Sequence, residues 1–490
     1  MKRTLRAIVV LALGLALGPG VAAAQGPPEP RLPREGGQPL AASAPTLSLA
    51  AQNPFMGGVP SGQVMPSVVP LSLTDAIARG LEHNLGVVLG EQGTRSAAGA
   101  HWTSLSRLLP NLSGRLTEER QTVNLEAFGF PLSLLPPGLN PVVGPFDVFD
   151  ARLAVSQPVF DYSAIQGNRA GALGEKAARF SYQDVRDTVV FVIANLYLQA
   201  ISGASRIDAV QAQVKTSQAL YDRAVDMKKA GVVAGIEVLR AQVQLQSQQQ
   251  RLIFYQNEFA KQKLALARAI GLPLAQQFDL TDRVPYAALP AQSLDESLRQ
   301  AYASRSDLKS ALAGLRAAEA NRQAARGLSF PSVAVSADIG DIGLTPSTAK
   351  KTYTLGAFLR VPVFQGGLVH GRLLQTDAAL QQQRAQVEDL RGRIDYEVRA
   401  ALLDIKAADD QVQVAKGTVD LGNQQLVQAQ DRFAAGVASN IEVVQAQEAV
   451  ATATDNFISS LYAHNLAKLS LARALGVAEA SASQFLGGQQ

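Results

Sequence analysis

Thirteen consecutive residues of this chain recur 205 positions later. Residues 230–242 read AGVVAGIEVLRAQ and residues 435–447 read AGVASNIEVVQAQ, with eight of the thirteen positions identical. The same offset relates LALARAIG at 264–271 to LSLARALG at 469–476. Two separate matches at one offset are hard to obtain by chance, so we predict that the chain is internally duplicated.

The duplication sets the predicted domain boundaries. We expect a signal peptide at 1–24, a flexible Pro/Gly-rich extension at 25–70, a first structural repeat at 71–285, a second at 286–477 and a flexible tail at 478–490. The signal peptide is indicated by a basic start, a short apolar run and an Ala-Ala-Ala cleavage site. Three of the 45 basic residues lie in it, so the rest of the chain carries 42 basic and 41 acidic residues. This balance gives no support for nucleic-acid binding.

Each copy of the repeated stretch is predicted to be the turn of a helical hairpin. Gly231 and Gly436 mark the end of the incoming helix, because glycine adopts the left-handed backbone conformation there without a steric penalty. Ser439 and Glu442 fit a capping box for the outgoing helix of the second copy. The first copy has Ala234 in place of Ser439, so we expect its cap to be weaker.

Seven-residue spacing continues after both turns. In the first copy it relates Val238, Leu245, Leu252, Phe259 and Leu266. In the second copy it relates Val443, Val450, Phe457, His464 and Leu471. This period is typical of coiled-coil seams. A helix over 163–230, which contains no proline, would be about 100 Å long and would exceed a single globular domain. We therefore predict long antiparallel coiled-coil hairpins rather than a globular helical bundle.

Strand-like alternation appears once before each hairpin. Residues 149–157 alternate apolar and polar side chains, and 111–127 form a weaker partner. The intervening 129–145 segment contains five prolines and is predicted to be a loop. In the second half, strands are predicted at Val333–Ile339 and Tyr353–Val361, joined by a loop at 343–350. The chain thus supplies four strands.

The order of these features resembles the TolC-like family of trimeric outer-membrane efflux proteins. The resemblance covers residues 71–477 and includes Leu-x-x-Ala-Ile from Leu73, the strand-end motifs QPVF at 157–160 and VPVFQGG at 361–367, and both hairpin turns. It implies a mixed, mainly α-helical fold: a coiled-coil α-barrel in the periplasm and a β-barrel in the outer membrane. It also implies a periplasmic adaptor (membrane fusion protein) and an inner-membrane pump as partners.

Physical reasoning independently favours a homotrimer if the strands enter lipid. Four strands cannot close a barrel, and every unpaired backbone group at an open edge costs several kcal/mol in hydrocarbon. Three chains would supply twelve strands, an even number that can close. We therefore expect a twelve-stranded transmembrane β-barrel in contact with outer-membrane lipid.

The residues after the two turns are candidates for a pore constriction. In the family that this chain resembles, acidic side chains one turn past the tip narrow the periplasmic entrance. The resemblance therefore implies this role for Glu442 and its repeat equivalent Glu237. The sequence departs from the family pattern because a second acidic layer is replaced by Gln445, and an arginine of some members is Ala438. Arg240 is a possible substitute ion-pair partner for Glu237. Alternatively, Glu442 serves only to cap its helix.

The turns themselves are candidates for adaptor contact, because small residues allow another hairpin to approach closely. These adaptor-contact candidates are Gly231, Val232, Gly235, Gly436, Val437, Ser439 and Asn440. The simpler interpretation is that these residues only reverse the chain.

Catalytic chemistry finds no support in the sequence. The four histidines (His83, His101, His370 and His464) lack metal-ligand spacing, and the chain has no cysteine and no Walker A loop. His464 lies on the heptad seam and is predicted to be a hydrogen-bonded packing residue rather than a ligand. We therefore expect no cofactor, no metal and no enzymatic activity.

The leading hypothesis is an outer-membrane channel of a tripartite efflux or type I secretion system. It would be a passive export duct from periplasm to exterior, gated at its periplasmic tip. The alternative is a periplasmic coiled-coil scaffold without a pore. The sequence does not distinguish drug efflux from protein secretion.

Overall fold

The computed structural model describes residues 53–128, 140–282, 286–290, 292–435 and 437–485. Its helices are α1 (Leu73–His83), α2 (Leu85–Ser106), α3 (Tyr162–Lys229), α4 (Gly235–Ala269), α5 (Leu294–Ser304), α6 (Ser306–Gly327), α7 (Leu368–Ala434), α8 (Asn440–Ala474) and α9 (Ala478–Phe485). Its strands are β1 (Val69–Leu71), β2 (Asn111–Asn124), β3 (Val142–Phe160), β4 (Phe278–Leu280), β5 (Ser332–Gly343) and β6 (Lys350–Arg360).

The two halves use the same succession of elements at nearly the same lengths. Helices α1 and α5 have 11 residues each, α2 and α6 have 22, α3 and α7 have 68 and 67, and α4 and α8 have 35. The residue between the two short helices contacts the end of the hairpin in each half. Asn84 donates to the carbonyl of Ala269 at 2.9 Å, and Arg305 donates to that of Ala474 at 3.3 Å.

An antiparallel sheet has the order β2-β3-β5-β6. Its register places Leu112, Val155, Ala337 and Leu355 in one row on the apolar face. The edge-strand side chains on this face are strongly exposed, with Tyr353 at 81% and Leu355 at 78%. The opposite face is polar. There Arg152 donates to Asp150 at 3.0 Å and to Asp338 at 2.7 Å. Among the described residues, β2 and β6 each have a strand on one side only.

The predicted loop at 129–145 is partly wrong. Residues 129–139 lie outside the described part of the chain, but Val142 to Pro145 belong to β3. The ladder pairs Gln121 with Phe146 and then Val123 with Val143, so it skips Pro145. A proline at such an irregularity forfeits no ladder hydrogen bond, which explains why it is accommodated in a strand.

The main apolar core surrounds the middle of α3. Val189, Ile193, Ala194 and Tyr197 are fully buried there against residues from α1, α4 and α8. Among the described helices, α3 alone is long and apolar enough to cross a membrane by length and composition, but half of its apolar window is buried inside the protein. The apolar run at 189–201 therefore forms a largely buried helix face.

Residues 53–70, predicted to be flexible, instead pack against the helices. Asn84 donates to the carbonyl of Phe55 at 2.8 Å, Gln276 accepts from the Met65 amide at 2.7 Å, and β1 pairs in parallel with β4. Residues 53–70 make these contacts largely through their backbone groups, so their sequence shows no apolar periodicity that would predict the packing. Residues 25–52 of the predicted extension lie outside the described chain.

The predicted flexible tail is also partly ordered. Helix α9 follows α8, and the Glu479 amide donates to Asp187 at 2.9 Å. Arg186 donates to the Glu479 carboxylate, also at 2.9 Å. These long-range contacts hold the start of α9 in place. No local sequence pattern predicts them, because the residues of this segment are mostly small or polar. Residues 486–490 lie outside the described chain.

Candidate functional site

The first hairpin turns through a left-handed glycine, as predicted. Gly231 has φ of 72°, the Gly231 amide donates to the Lys228 carbonyl at 3.0 Å, and the Val232 amide donates to the Met227 carbonyl at 2.9 Å. This pair of bonds is the Schellman pattern that ends a helix. In the second hairpin the Val437 amide donates to the Arg432 carbonyl at 3.1 Å. Gly436 lies outside the described residues.

The capping box predicted for the second hairpin is wrong. Ser439 is the N-cap residue of α8, but its side chain makes no capping hydrogen bond. The Glu442 carboxylate lies instead 3.5 Å from Nε of Arg432, at the end of α7. The tertiary neighbour therefore offers Glu442 a cation, which a local sequence pattern could not show. Ala234 makes no side-chain cap in the first hairpin, in agreement with the sequence.

Glu237 has the partner that the sequence offered as a substitute. Arg240 donates to its carboxylate at 2.6 Å, and the Glu237 side chain is mostly buried while Arg240 is partly exposed. An acidic residue in the first helical turn is also favoured by the helix dipole. Both acidic candidates thus lie near the start of their helices beside an arginine: Arg240 of the same helix for Glu237, and Arg432 of α7 for Glu442.

The two tips contact each other within one chain. Asn440, fully buried at the start of α8, donates from Nδ2 to the Glu237 carbonyl of α4 at 3.3 Å. Asn440 was predicted to contact an adaptor, and its burial argues against that role. Val232 and Val437 are strongly exposed at the two turns, so they remain available to a partner.

Gln445 lines the same cleft as Arg240, the partner of Glu237. This cleft is apolar, has a volume of about 360 Å³ and lies between α4 and α8. The apolar side chains that line this cleft are Ile236, Leu239, Val243, Ile441 and Val444. The structure therefore gives Glu237 and Glu442 an arginine each and places Arg240 and Gln445 together beside an apolar surface.

Farther from the tip, several polar side chains are buried between the long helices. Gln248, Gln447 and Ser217 are nearly inaccessible to solvent, yet atoms of each lack a hydrogen-bond partner among the described residues. A buried polar group without a partner costs about 1–3 kcal/mol. These polar side chains therefore contribute less to the packing than the apolar side chains of the core around α3.

Two ion pairs join the two hairpins beside these polar residues and farther from the tip. Arg206 of α3 donates to Asp455 of α8 at 2.8 Å, and Arg251 of α4 donates to Glu448 of α8. Both pairs border a cleft of about 520 Å³. The four residues were not predicted, although the repeat contains a signal for them. Their equivalents at the 205-residue offset are uncharged: Gln411, Gln250, Asn456 and Val243.

The tip therefore combines these polar contacts with a small buried apolar cluster, in which Leu220 of α3 packs with Phe433 of α7 and Val443 of α8. No group of three or more His, Asp or Glu side chains among the described residues could hold a metal ion.

Comparison with known proteins agrees with this geometry. The family model described as "Outer membrane efflux protein" matches residues 104–272 and 297–477. The pyoverdine export outer membrane protein OpmQ of Pseudomonas putida is 25% identical over 339 residues, which cover 67% of this chain and 70% of OpmQ.

Solved structures share the fold at low sequence identity. The outer membrane protein VceC of Vibrio cholerae superposes with a TM-score of 0.71 at 20% identity, over 82% of this chain and 96% of VceC. The CmeC outer membrane channel of Campylobacter jejuni superposes with a TM-score of 0.72 at 16% identity, over 92% of this chain and 98% of CmeC.

Proposed function

Because the chain belongs to the outer membrane efflux protein family, we propose that it is the outer-membrane channel of an efflux or type I secretion system. It is a passive duct from periplasm to exterior, and a periplasmic adaptor and an inner-membrane pump supply the cargo and the energy. Residues 1–24 direct export to the periplasm and are then removed. The observation that carries the proposal is that one chain leaves both its sheet and its helical layer open at their edges.

The sheet requires neighbours. Within the described residues, strands β2 and β6 each have an unpaired edge, and an apolar face with Tyr353 and Leu355 exposed suits contact with hydrocarbon. In lipid, unpaired edges are prohibitive, so β2 of one chain pairs with β6 of the next. Three chains close a twelve-stranded barrel whose polar face, with Arg152 and Asp338, lines the lumen. This apolar face also disfavours the alternative of a water-soluble scaffold.

The long helices require neighbours as well. Helix α7 has a buried seam that includes Val398 and Val412 and, on its opposite side, an exposed apolar stripe. We call this exposed set the α7 stripe: Tyr396, Leu403, Val414 and Leu421.

Helix α4 shows the same two-sided pattern. Its exposed set is the α4 stripe: Ile236, Leu239, Val243, Ile253 and Leu264. Helices with two apolar sides pack between two neighbours. In the proposed homotrimer the α4 stripe of one chain packs on the α7 stripe of the next, and twelve long helices form the periplasmic barrel. This closed barrel is built from an internally duplicated chain, each half supplying two strands and one hairpin.

The tips form the gate of this conduit. Threefold symmetry places three copies each of Glu237 and Glu442 around the periplasmic mouth, with Arg240 and Gln445 beside them as further constriction residues. Rings of carboxylates favour cations. The adaptor contacts the exposed turns around Gly231, Val232, Gly235, Gly436, Val437 and Ser439, and it draws the hairpins apart.

Removing both carboxylates tests the pore role. Glu237→Ala combined with Glu442→Ala is expected to raise the single-channel conductance of the trimer in planar bilayers and to reduce its preference for cations. Asp226→Ala, an exposed acidic residue near the end of α3, is a matched control. Conductance and ion selectivity equal to those of the wild type would reject a gating role for the two glutamates.

Reversing one ion pair tests the contact between the two hairpins. Arg251→Glu places two carboxylates opposite each other and should shift the trimer toward its open state, by up to about fivefold for each subunit, since an exposed pair contributes about 0.2–1 kcal/mol. Adding Glu448→Arg restores attraction and should restore the wild-type conductance. A double variant as leaky as the single one would contradict the proposed role.

A further inference from the structure

His464 occupies an unusual position on the second hairpin. Its side chain is fully buried in α8, and neither ring nitrogen has a hydrogen-bond partner among the described residues. The sequence correctly placed it on the packing seam, but the predicted hydrogen bonds are not found there. An imidazole buried without partners favours its neutral form, because burial penalises the charged one.

Charged groups reach this ring from two helices. Lys468, one turn farther along α8, is only 1% exposed, and Oδ1 of Asp409 on α7 lies 3.8 Å from the His464 Nε2. Tyr286, in the segment between the two halves, donates a hydrogen bond to Asp409, and its ring centroid lies 5.0 Å from that of His464. Asp409 is thus shared by the tyrosine and the histidine.

The first hairpin offers a natural comparison. At the 205-residue offset, His464 corresponds to Phe259 and Lys468 to Lys263. Lys263 lies 5.6 Å from the Phe259 ring centroid and 4.8 Å from that of Phe278, and 3.4 Å from Asp279. Both hairpins therefore combine an aromatic seam residue, a lysine and a nearby acid. The seam residue can bind a proton in the second hairpin, where it is His464, but not in the first, where it is Phe259.

We propose that His464 is a proton-binding site that makes the packing of the second hairpin, and not of the first, depend on the pH around the protein. A proton on His464 places two cations one turn apart on a buried helix face, with a single carboxylate to compensate them. The α7–α8 contact at Asp409 and Tyr286 then loosens. This property goes beyond the proposed channel function and does not depend on the trimer or the pore.

The direction of the effect follows from the neighbours. Burial, and then Lys468, lower the pKa of His464, and Asp409 only partly opposes them. The native state consequently binds this proton less readily than the unfolded chain, in which histidine titrates near 6.5. Stability is complete above about pH 6.5 and is lost as the pH falls below that value.

Hydrogen exchange of the purified full-length protein in detergent tests the proposal. Wild type and His464→Phe are compared at pH 7.5 and 5.5, using peptides that cover 405–412 and 460–468. Relative to the variant, the wild-type opening should increase at pH 5.5 by up to about tenfold, because pH 5.5 lies one unit below the pKa of about 6.5 of histidine in the unfolded chain. Equal exchange at pH 7.5 serves as the folding control, and Phe259 shows that a phenyl ring suits the equivalent position.

A reciprocal variant makes the test independent of His464→Phe. Phe259→His should introduce an acid-dependent opening into peptides 200–207 and 255–263, smaller than that at His464 because Phe259 and Lys263 are only partly buried. Identical pH dependence in wild type and His464→Phe would overturn the proposal. So would greater protection of the wild type at pH 5.5, because His464 and Asp409 would then form a stabilising ion pair on protonation.

Discussion

Leu403→Glu combined with Leu421→Glu is expected to yield monomers in place of trimers. Both leucines belong to the α7 stripe and are 69% and 68% exposed in the single chain, so the subunit keeps its fold. In the trimer each glutamate would be buried against the neighbouring α4 stripe. Each substitution loses about 1.5–3 kcal/mol of apolar burial and adds the cost of desolvating a charge.

The mass of the detergent-solubilised particle measures this effect by light scattering after size-exclusion chromatography. Gln411→Glu combined with Gln413→Glu is the matched control, because both glutamines are exposed on α7 to either side of the stripe. The control should remain trimeric. If the stripe variant had the same mass as the control, the α7 stripe would not be a subunit interface.

Arg305→Leu is expected to destabilise the second half of the chain by about 3–5 kcal/mol, because it leaves two carboxylates without their buried counter-ion. Arg305 is 3% exposed and donates to both oxygens of Asp307, at 3.0 and 2.7 Å, as well as to Glu397. Its contact with the Ala474 carbonyl also connects α5 and α6 to the end of α8.

The same substitution should change the response to acid. Burial opposes ionisation of Asp307, but the hydrogen bonds from Arg305 outweigh it and hold the pKa of that carboxyl below its ordinary value. Such a group stabilises the native state above about pH 4, and this contribution is lost as the pH falls further. Arg305→Leu should lack this acid-dependent loss.

Urea unfolding followed by circular dichroism gives the free energies of unfolding. Arg95→Leu is the control, since Arg95 pairs with Glu91 at 2.7 Å on the exposed surface of α2 and should contribute less than about 1 kcal/mol. A loss no larger for Arg305→Leu than for Arg95→Leu would show that Arg305 does not connect these helices.

Much of this fold is predictable because its long elements carry sustained patterns. Seven-residue spacing and the glycines of the turns place α3, α4, α7 and α8 closely, and alternation with flanking prolines places the strands. Local signals fail where tertiary contacts decide. Residues 53–70 have no periodicity, yet Gly58 fits against the carbonyl of Arg268 so closely that a Cβ would lie 2.6 Å from that oxygen.

The site is less accessible to sequence reasoning than the fold. Gly231, Glu237 and Glu442 follow from the repeat, but the partner of Glu442 is a residue on a different helix. The ion pairs of Arg206 and Arg251 lie where the two repeats differ rather than where they agree. Charged residues whose repeat equivalents are uncharged are therefore a useful signal of contact between the copies, when those in one copy are basic and those in the other are acidic.

The central claim is that three subunits close one conduit by joining their open edges. Single-particle electron cryo-microscopy of the detergent-extracted protein tests it most directly. We expect a threefold particle with a twelve-stranded barrel, in which β2 of each chain pairs with β6 of the next and the α4 stripe meets the α7 stripe. A monomer, or an oligomer in which β2 and β6 remain unpaired, would contradict the claim.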